Sequence, residues 1–329
     1  MAVRGTRRVG VTEARSQRSG LHTATAGLVD DTYRMDWLVS AGDVRFPLPT
    51  ALDWLGGTPA GQAWRAALPG NVAACEQQWE LVLGEPLLGG CASLVLPAQR
   101  VDGSEAVLKL QFPDRESEHE AAALEQWAGE GAVQLLEHDP ERHALLLERC
   151  APGTALSEVG QDEALDVYVD LLPRLWKPAG ATFTPLADEA AWWASSLGAS
   201  WEQMGRPFER TLLELALDVL ATLPQSQGEP VLLHQDLHAD NVLRNTRMPW
   251  LAIDPKPLAG EREFGVAPIV RSFELGHTRK LVRQRLDRLT AELGLDRERA
   301  RLWTIAQTIA WCFDSTYLPR HLATVRWLA

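Results

Sequence analysis

Between residues 81 and 149 the chain alternates apolar and polar positions in short runs, a pattern that predicts β-strands. Two runs, SLVLPAQ and EAVLKLQF, flank the pair Asp102 and Gly103, so we expect a β-hairpin there. Two more runs, AVQLLEH and HALLLER, are separated by the turn DPE. The segment from Glu116 to Gly129 is instead rich in alanine at helical spacing, and it predicts one helix among the strands.

Ahead of these strands, residues 59–80 carry apolar positions at helical spacing, interrupted by Pro69 and Gly70. A proline inside a helix removes a hydrogen bond and clashes with the preceding turn. We therefore expect two short helices in this segment rather than one.

The second half of the chain has a different pattern. Five segments carry apolar residues at i, i+3/i+4 and i+7, the spacing of amphipathic helices: residues 161–176, 188–203, 208–223, 277–293 and 296–313. Among them lies one strand-rich island, EPVLLHQDLHADNVLRNTRMPWLAIDPKPLAG. This order of elements predicts an α+β fold of two lobes: a small sheet lobe with one key helix and leading helices over residues 35–149, and a larger helical lobe over residues 150–329.

The composition of the 329 residues, 46% hydrophobic and 23% charged, is that of a globular protein. No uninterrupted apolar stretch approaches the ~20 residues that a membrane helix needs. The four cysteines stand singly, without the pairs of a zinc site or the density of a secreted disulfide framework. We expect a soluble, reduced, cytoplasmic protein with no membrane partner.

Residues 1–34 carry six arginines and three acidic residues and lack the apolar core of a signal peptide. We expect a disordered basic tail, with Met35 as an alternative start. The rest of the chain then has a net charge of −15, compared with −12 for the whole. Such an acidic body disfavours nucleic acid and favours cationic partners. Lysine is rare, and two of the four lysines, Lys109 and Lys256, fall in the motifs described next.

His234, Asp236 and Asn241, in HQDLHADN, follow the spacing H-x-D-x-x-x-x-N. In a kinase catalytic loop the aspartate receives the proton of the attacking hydroxyl, and the asparagine helps to hold Mg²⁺. Asp254 follows at the end of the run WLAI. A β-hairpin with its turn at residues 245–249 would lay Asp254 beside Asn241 as a second oxygen ligand, which suits magnesium.

Two other interpretations of this loop stay open. A satisfied polar turn would need no catalytic role, because such turns are common. A metal hydrolase would use His234, Asp236 and His238 as zinc ligands, but it would need a further histidine, and the two downstream lie outside polar clusters. The asparagine and the second carboxylate at hairpin distance favour phosphoryl transfer.

Phosphoryl transfer requires a nucleotide clamp in the first lobe. Lys109, which alternates inward on the strand EAVLKLQ, has the position of a lysine that binds the α- and β-phosphates. The following helix supplies a carboxylate partner, Glu120, with Glu116 and Glu118 as alternatives. The alternative is that Lys109 is a solvated lysine beside a charged helix face and binds no nucleotide.

A glycine-rich stretch, LGGCAS, precedes this strand. Its backbone N–H groups would cover the phosphates, although a plain turn has the same pattern; the residues are Gly89, Gly90 and Ser93. At the change in composition between the lobes, we expect the backbone of Glu148 to Cys150 to hydrogen-bond the adenine ring.

With these motifs in this order along the chain, the sequence resembles the aminoglycoside phosphotransferase family. The resemblance is close to its streptomycin 6-phosphotransferase and hydroxyurea phosphotransferase branch. The resemblance runs from about residue 59 to the C-terminus and rests on six motifs: GGCASLVLPA, AVLKL, HEAAAL, ALLLERCAPGTAL, VLLHQDLHADNVLR and WLAIDPKP. The last two are specific. The resemblance implies a protein-kinase-like two-lobe fold, ATP and Mg²⁺, and transfer of the γ-phosphoryl group to a hydroxyl.

Position by position, the resemblance implies Asp236 as the catalytic base. It implies Asn241 and Asp254 as Mg²⁺ ligands, and Lys109 with its partner Glu120 as the phosphate clamp.

The resemblance also implies a structural role for His234, which would brace the loop. Lys256, in D-P-K, fits the branch, and we expect it near the transferred phosphate as part of the catalytic set. Gln235 stands where the branch often has glycine.

A cationic aminoglycoside would need carboxylates in the helical lobe. Candidates are Asp314, at the end of the helix RLWTIAQTIAWCFD, and Asp188 with Glu189, at the head of the helix that carries Trp192 and Trp193. The helix dipole by itself also favours acidic residues at that head.

We therefore expect a small-molecule O-phosphotransferase whose acceptor is a streptomycin-like aminoglycoside. The alternatives are a kinase of another hydroxylated compound, such as hydroxyurea, a macrolide or a sugar, and a nucleotide-binding scaffold without turnover.

Overall fold

The computed structural model describes residues 36–40, 43–88, 90, 92–313 and 316–329. Three of the sequence predictions lie outside these residues: the basic tail over residues 1–34, Gly89 in the glycine-rich loop, and Asp314 in the helical lobe. Among the described helices, none combines the length and the apolar composition that crossing a bilayer requires.

The first lobe begins with two paired strands, β1 (Asp36–Ser40) and β2 (Asp43–Leu48), a 3₁₀ helix (Thr50–Gly57) and α1 (Pro59–Gln78).

The prediction of two short helices over residues 59–80 was wrong, because α1 continues through Pro69. Trp64 and Leu68 before the proline, and Val72 and Cys75 after it, are buried in one hydrophobic cluster. Burying each large apolar side chain stabilises the fold by roughly 1.5–3 kcal/mol. Together these contacts outweigh the about 3 kcal/mol that an interior proline costs a helix.

An antiparallel sheet with the strand order β3-β4-β5-β7-β6 forms the body of the first lobe. Its strands are β3 (Val82–Leu83), β4 (Ser93–Gln99), β5 (Glu105–Gln111), β6 (Leu135–Asp139) and β7 (Ala144–Glu148). The predicted hairpin between β4 and β5 is confirmed. At its turn Gly103 has φ +82°, and Asp102 accepts a hydrogen bond from the amide of Ser104 at 2.9 Å.

The two faces of this sheet serve two different cores. On β5, Leu108 and Leu110 belong to the cluster that includes α1, whereas Val107 packs against the larger cluster that includes the second lobe. On β7, Leu146 and Leu145 divide in the same way. Because side chains alternate between the faces of a strand, Lys109 shares the face of Val107 and is directed toward the second lobe.

The key helix of the first lobe, α2 (Glu120–Trp127), begins four residues later than the sequence predicted. The side chain of Asp114 accepts hydrogen bonds from the amides of Glu116 and Ser117, at 3.0 and 2.8 Å. These bonds hold the first residues of the predicted helix in a turn, since an aspartate side chain offers the backbone an alternative to helical pairing.

The second lobe is mainly helical. Its longer helices are α3 (Gln161–Leu175), α4 (Leu186–Gln203), α5 (Arg210–Thr222), α8 (Arg279–Leu293), α9 (Arg297–Ala310) and α10 (Leu318–Leu328), with α6 (Arg262–Gly265) and α7 (Ala267–Arg271) as short turns. The five predicted helices correspond to α3, α4, α5, α8 and α9. The sequence analysis missed α10 and the two short helices.

Short strands in this lobe hold two loops at the face toward the sheet. They are β8 (Pro152–Ala155), β9 (Val231–Leu233), β10 (Val242–Asn245), β11 (Trp250–Ala252) and β12 (Leu258–Gly260). β8 and β11 flank β10, and β9 pairs with β12. One loop leads from β9 to β10 and the other from β11 to β12, so the pairing of these strands brings the two loops together.

Candidate active site

The loop that leads from β9 to β10 is buried although it is polar. His234, Gln235, Asp236, His238 and Asn241 are each at most 7% exposed. Its backbone is fixed by short-range hydrogen bonds, from the amide of Asp236 to the carbonyl of His234 and from the amide of Asn241 to the carbonyl of His238. These bonds fix the backbone of the loop, although some of its buried side-chain atoms, such as Oδ1 of Asp236, have no hydrogen-bond partner among the described residues.

The predicted hairpin after Asn241 is present. Val242 pairs with Ala252, and the amide of Ile253 donates to the carbonyl of Asn241 at 2.9 Å. Asp254, which follows, has φ +54°, a left-handed conformation that an aspartate adopts at an energetic cost. The two residues predicted as metal ligands therefore lie at neighbouring backbone positions, at the open end of the hairpin.

Lys109 joins the two lobes at this point. Its Nζ lies 2.7 and 2.8 Å from the two carboxylate oxygens of Glu120 and 2.5 Å from Oδ1 of Asp254. Gln111 donates a further hydrogen bond to Glu120 at 2.6 Å. Burial alone would lower the pKa of Lys109, but Asp254 and Glu120 raise it, so the ammonium stays charged. Of the three predicted partners, the structure selects Glu120.

Asp236 is held from one side. Lys256 lies 2.5 Å from its Oδ2, and Oδ1 is buried without a hydrogen-bond partner among the described residues. Burial favours the neutral acid, but Lys256 and then His238 lower the pKa of Asp236 to about 2. The carboxylate is therefore an anion at neutral pH, and its Oδ1 is covered by the surrounding residues.

His234 braces the loop in the manner that the sequence suggested. Its Nε2 lies 2.8 Å from the carbonyl of Ile253, and its ring stacks on Trp127 with a centroid distance of 6.2 Å. Burial lowers the pKa of His234 to about 4, so the ring is neutral at pH 7 and Nε2 donates to the carbonyl. Among the described residues, the ligand atoms of His234, Asp236 and His238 do not form a group with the spacing of a metal site, which disfavours the zinc interpretation.

Two residues of this site have no signal in the sequence. Glu274 lies 3.2 Å from Nδ1 of His238 and accepts a hydrogen bond from Ser272, while Arg271 adds to the positive charge near Asp236. His238 itself stands in the motif and lies 4.0 Å from Asp236. Arg271 and Glu274 come from α7 and the residues after it, and only the tertiary fold brings them to the loop.

Ligand atoms of His238, Asp240 and Glu274 lie within 4.8 Å of one another, a spacing that would admit a cation. However, Ser157 already donates to Asp240, and Ser272 donates to Glu274. Both carboxylates of this group therefore already have hydrogen-bond partners within the protein, and the contact between Glu274 and His238 supports the loop.

Gln235 explains why a glycine would suit its position. Its φ is +64°, in the left-handed region that glycine enters most readily. The side-chain amide of Gln307 donates to the carbonyl of Gln235 at 3.1 Å, which helps to hold this conformation.

The glycine-rich stretch is tightly folded before β4. A side chain at Gly90 would place its Cβ 2.5 Å from the carbonyl oxygen of Ser93, so only glycine fits there. Gly90 and Ser93 thus lie at the entry to the sheet that carries Lys109. Their role toward phosphates stays a prediction.

Glu148, at the connection between the lobes, is held by contacts with both lobes. Its carboxylate is bound by Arg247 at 2.8 Å and by the side chain of Asn245 at 2.8 Å, and its amide donates to Gln134 at 2.9 Å. The Glu148 amide is thus engaged within the first lobe, and the contact of the adenine ring with the backbone of Glu148 to Cys150 stays a prediction.

The two described acceptor candidates differ. Asp188 is exposed at the start of α4, whereas Glu189 is buried and pairs with Arg115 of the first lobe at 2.6 Å. Burial raises the pKa of Glu189, and Arg115 opposes that rise. Glu189 thus faces the space between the lobes.

Comparison with known proteins gives a consistent result. Residues 78–314 match the model of a family described as aminoglycoside/hydroxyurea antibiotic resistance kinase. The chain is 40% identical over 260 residues to a streptomycin 6-kinase of Streptomyces griseus, covering 77% of this chain and 84% of the relative. It is 42% identical over 262 residues to a hydroxyurea phosphotransferase of Kitasatospora aureofaciens, covering 78% and 75%.

Solved structures share the fold. A choline kinase of Streptococcus pneumoniae superposes with a TM-score of 0.57 at 14% identity, covering 79% of this chain and 98% of that one. An aminoglycoside phosphotransferase in complex with ADP and hygromycin B superposes with a TM-score of 0.53 at 15% identity, covering 78% and 97%. The two-lobe, protein-kinase-like fold predicted from the sequence is confirmed.

Proposed function

Because the chain belongs to the aminoglycoside/hydroxyurea antibiotic resistance kinase family, we propose that it transfers the γ-phosphoryl group of ATP to a hydroxyl of a streptomycin-like aminoglycoside. One observation carries the mechanism: Lys109, from the sheet, lies 2.5 Å from Asp254, from the loop of the other lobe. This contact sets the Lys109 ammonium beside the Asp254 carboxylate, and Lys256 interacts with both Asp254 and Asp236; we assign Lys109 to the phosphates and Asp254 to the metal. A cytoplasmic location, where ATP is available, is part of the proposal.

The donor set at the hairpin fits magnesium. Asn241 and Asp254 offer one amide and one carboxylate oxygen, and Mg²⁺ is usually bound by one or two carboxylates together with waters and substrate phosphates. Burial would raise the pKa of Asp254, but Lys109 and Lys256 hold it well below its usual range, so it is an anion as a ligand must be. When bound there, Mg²⁺ would neutralise charge on the phosphates.

Asp236 would receive the acceptor hydroxyl at Oδ1, the oxygen that Lys256 leaves free. A carboxyl with a pKa of about 2 is a weak base. It would therefore orient the hydroxyl first and take the proton late, when the bond to phosphorus is forming. This order suits phosphoryl transfer, which depends mainly on positioning and on charge stabilisation.

Lys256 would have two tasks. It keeps Asp236 ionised, and its own pKa is raised above the usual value by Asp236 and Asp254, although burial acts in the opposite direction. An ammonium between the two loops also lies where negative charge gathers on the phosphoryl group during transfer, so Lys256 would stabilise that charge. Lys109 would hold the other phosphates.

The relative of 42% identity favours hydroxyurea as a second candidate acceptor. A coupled assay of ADP release separates the possibilities when the full-length protein is given ATP with streptomycin, with hydroxyurea or with no acceptor. We expect release that depends on streptomycin, with the phosphorylated product identified by mass spectrometry. The Asp236→Asn variant, which keeps the shape of the side chain, is the matched control.

Release with hydroxyurea alone would reassign the acceptor. ATP binding without release under any condition would support the scaffold instead and would overturn the proposal.

A further inference from the structure

A guanidinium group of the chain itself lies on an exposed tryptophan of the opposite lobe. Arg115, in the turn before α2, places its guanidinium carbon 4.6 Å from the ring centroid of Trp192. The same group pairs with Glu189 at 2.6 Å. Trp192 is 39% exposed, whereas the Glu189 side chain is 8% exposed.

This pair of residues has the features of a guanidinium site. An aromatic face attracts a planar cation by stacking, and a carboxylate fixes its N–H groups. A carboxylate as buried as that of Glu189 needs a cation, because an unpaired buried charge is strongly unfavourable. Arg115 meets that need with a side chain that is itself 36% exposed and is attached to a turn.

The site lies beside the transfer centre. Pro185, directly before α4, bridges to Ala259 on β12, and β12 begins two residues after Lys256. Glu116, next to Arg115, lies near enough to Lys256, Asp236 and Glu189 to interact electrostatically with all three. A cation held by Glu189 would therefore lie near the group that contains Asp236 and Lys256.

We infer that Trp192 and Glu189 form a subsite for a guanidinium group of the acceptor, and that Arg115 fills this subsite until the acceptor displaces it. This inference rests on the proposed function and narrows the substrate class to hydroxylated acceptors that carry guanidinium groups. Streptomycin has two guanidinium groups on the ring that bears its 6-hydroxyl, whereas hydroxyurea has none. Arg115 thereby competes with the acceptor from within the protein.

The first test is the KM for streptomycin in the full-length enzyme. Arg115→Ala should lower it by about three- to tenfold, because an occupied site reduces apparent affinity by the fraction of molecules in which it is free. Trp192→Leu should raise it by about tenfold, through loss of the stacking surface.

Arg206, which follows the C-terminal end of α4, gives a matched control. Its guanidinium carbon lies 5.5 Å from the ring centroid of Trp201, and its side chain pairs with Glu202 at 2.9 Å. Arg206→Ala should leave the KM for streptomycin unchanged. An Arg115→Ala enzyme with a raised or unchanged KM would overturn the inference, since Arg115 would then only connect the lobes.

The second test does not require turnover. In protein labelled with fluorinated tryptophan, with the Trp192 resonance assigned from Trp192→Phe, methylguanidine should shift that resonance, and it should do so at lower concentration in Arg115→Ala. Methylammonium, which lacks the planar group, should act more weakly. No shift at Trp192 would overturn the subsite, even in an enzyme that phosphorylates streptomycin. A shift in an enzyme that turns over no aminoglycoside would refute the proposed function alone.

Discussion

Replacing Lys109 by methionine should destabilise the protein as well as disable it. The Glu120 side chain is only 2% exposed and lies 2.7 Å from Lys109. Removing one partner of a buried ion pair costs about 3–5 kcal/mol, because the other charge is left buried and unpaired. At about 2 °C per kcal/mol for a chain of this size, we expect the melting temperature at pH ~8 to fall by about 6–10 °C.

The pH dependence identifies the cause. Burial raises the pKa of Glu120 to about 7 even with Lys109 in place, and the pKa rises further without the lysine. A pKa that is higher in the folded than in the unfolded state means that the folded state binds the proton more tightly, so stability falls as the pH rises between the two values. The loss of stability relative to the wild type should therefore be small near pH ~5.5 and grow toward pH ~8.5.

A second substitution separates stability from activity. In Lys109→Met, Glu120→Gln the buried charge is gone, and the partner of Gln111 is kept as an amide. The double variant should recover most of the melting temperature that Lys109→Met loses. The difference in melting temperature from the wild type should no longer grow between pH ~5.5 and pH ~8.5. The value of kcat/KM for ATP should stay about 100-fold or more below the wild type, because hydrogen bonds to charged phosphates contribute about 1.5–3 kcal/mol each.

Scanning fluorimetry across the pH range and the ADP-release assay measure these effects. Lys280→Met, at an exposed position on α8, is the control for losing a lysine. The reasoning would be refuted by a Lys109→Met protein that melts with the wild type at high pH, or by a double variant that regains turnover.

Three further predictions follow from the site and from α1. Asp236→Asn should lower kcat by about 100- to 10,000-fold, the range for a lost general base, while the calorimetric affinity for ATP stays near that of the wild type; undiminished turnover would contradict the assignment. Asp254→Asn should reduce the affinity for ATP with Mg²⁺ to the value measured with a chelator, and a surviving Mg²⁺ dependence would place the metal elsewhere. Pro69→Ala should restore a hydrogen bond within α1 and raise the melting temperature by about 2 °C, roughly 1 kcal/mol, and a lower melting temperature would show that the ring packs usefully.

The contacts that the sequence predicted correctly join residues that are close along the chain. Asn241 and Asp254 are connected by a single tight hairpin, whose alternation of apolar residues fixes its register. Lys109 and Glu120 are eleven residues apart, at neighbouring positions of one strand–helix unit. In both cases local periodicity is enough to predict which residues lie beside each other. The functional roles of these residues stay predictions.

What the sequence did not reveal depends on contacts between distant segments. Nothing in the spacing relates Arg115 to Trp192, or Glu274 to His238, because these pairs meet only when the lobes and helices have packed. At Pro69, contacts with distant segments instead overruled a prediction made from the local sequence, the break in α1. The local effect of the proline on a helix is real, but burial of one helix face against the sheet is the larger energy.

Glu148 connects the sheet of the first lobe to the hairpin formed by β10 and β11. Arg247 and Asn245 bind this glutamate near the turn of the hairpin, whereas Asn241 and Asp254 stand at its opposite end. The four-residue strand β10 connects these two ends and is roughly 13 Å long at about 3.3 Å per residue. β10 is hydrogen-bonded to β8 on one side and to β11 on the other. A displacement of the sheet would therefore be transmitted through the hairpin to Asn241 and Asp254, so we expect the two proposed metal ligands to move with the first lobe.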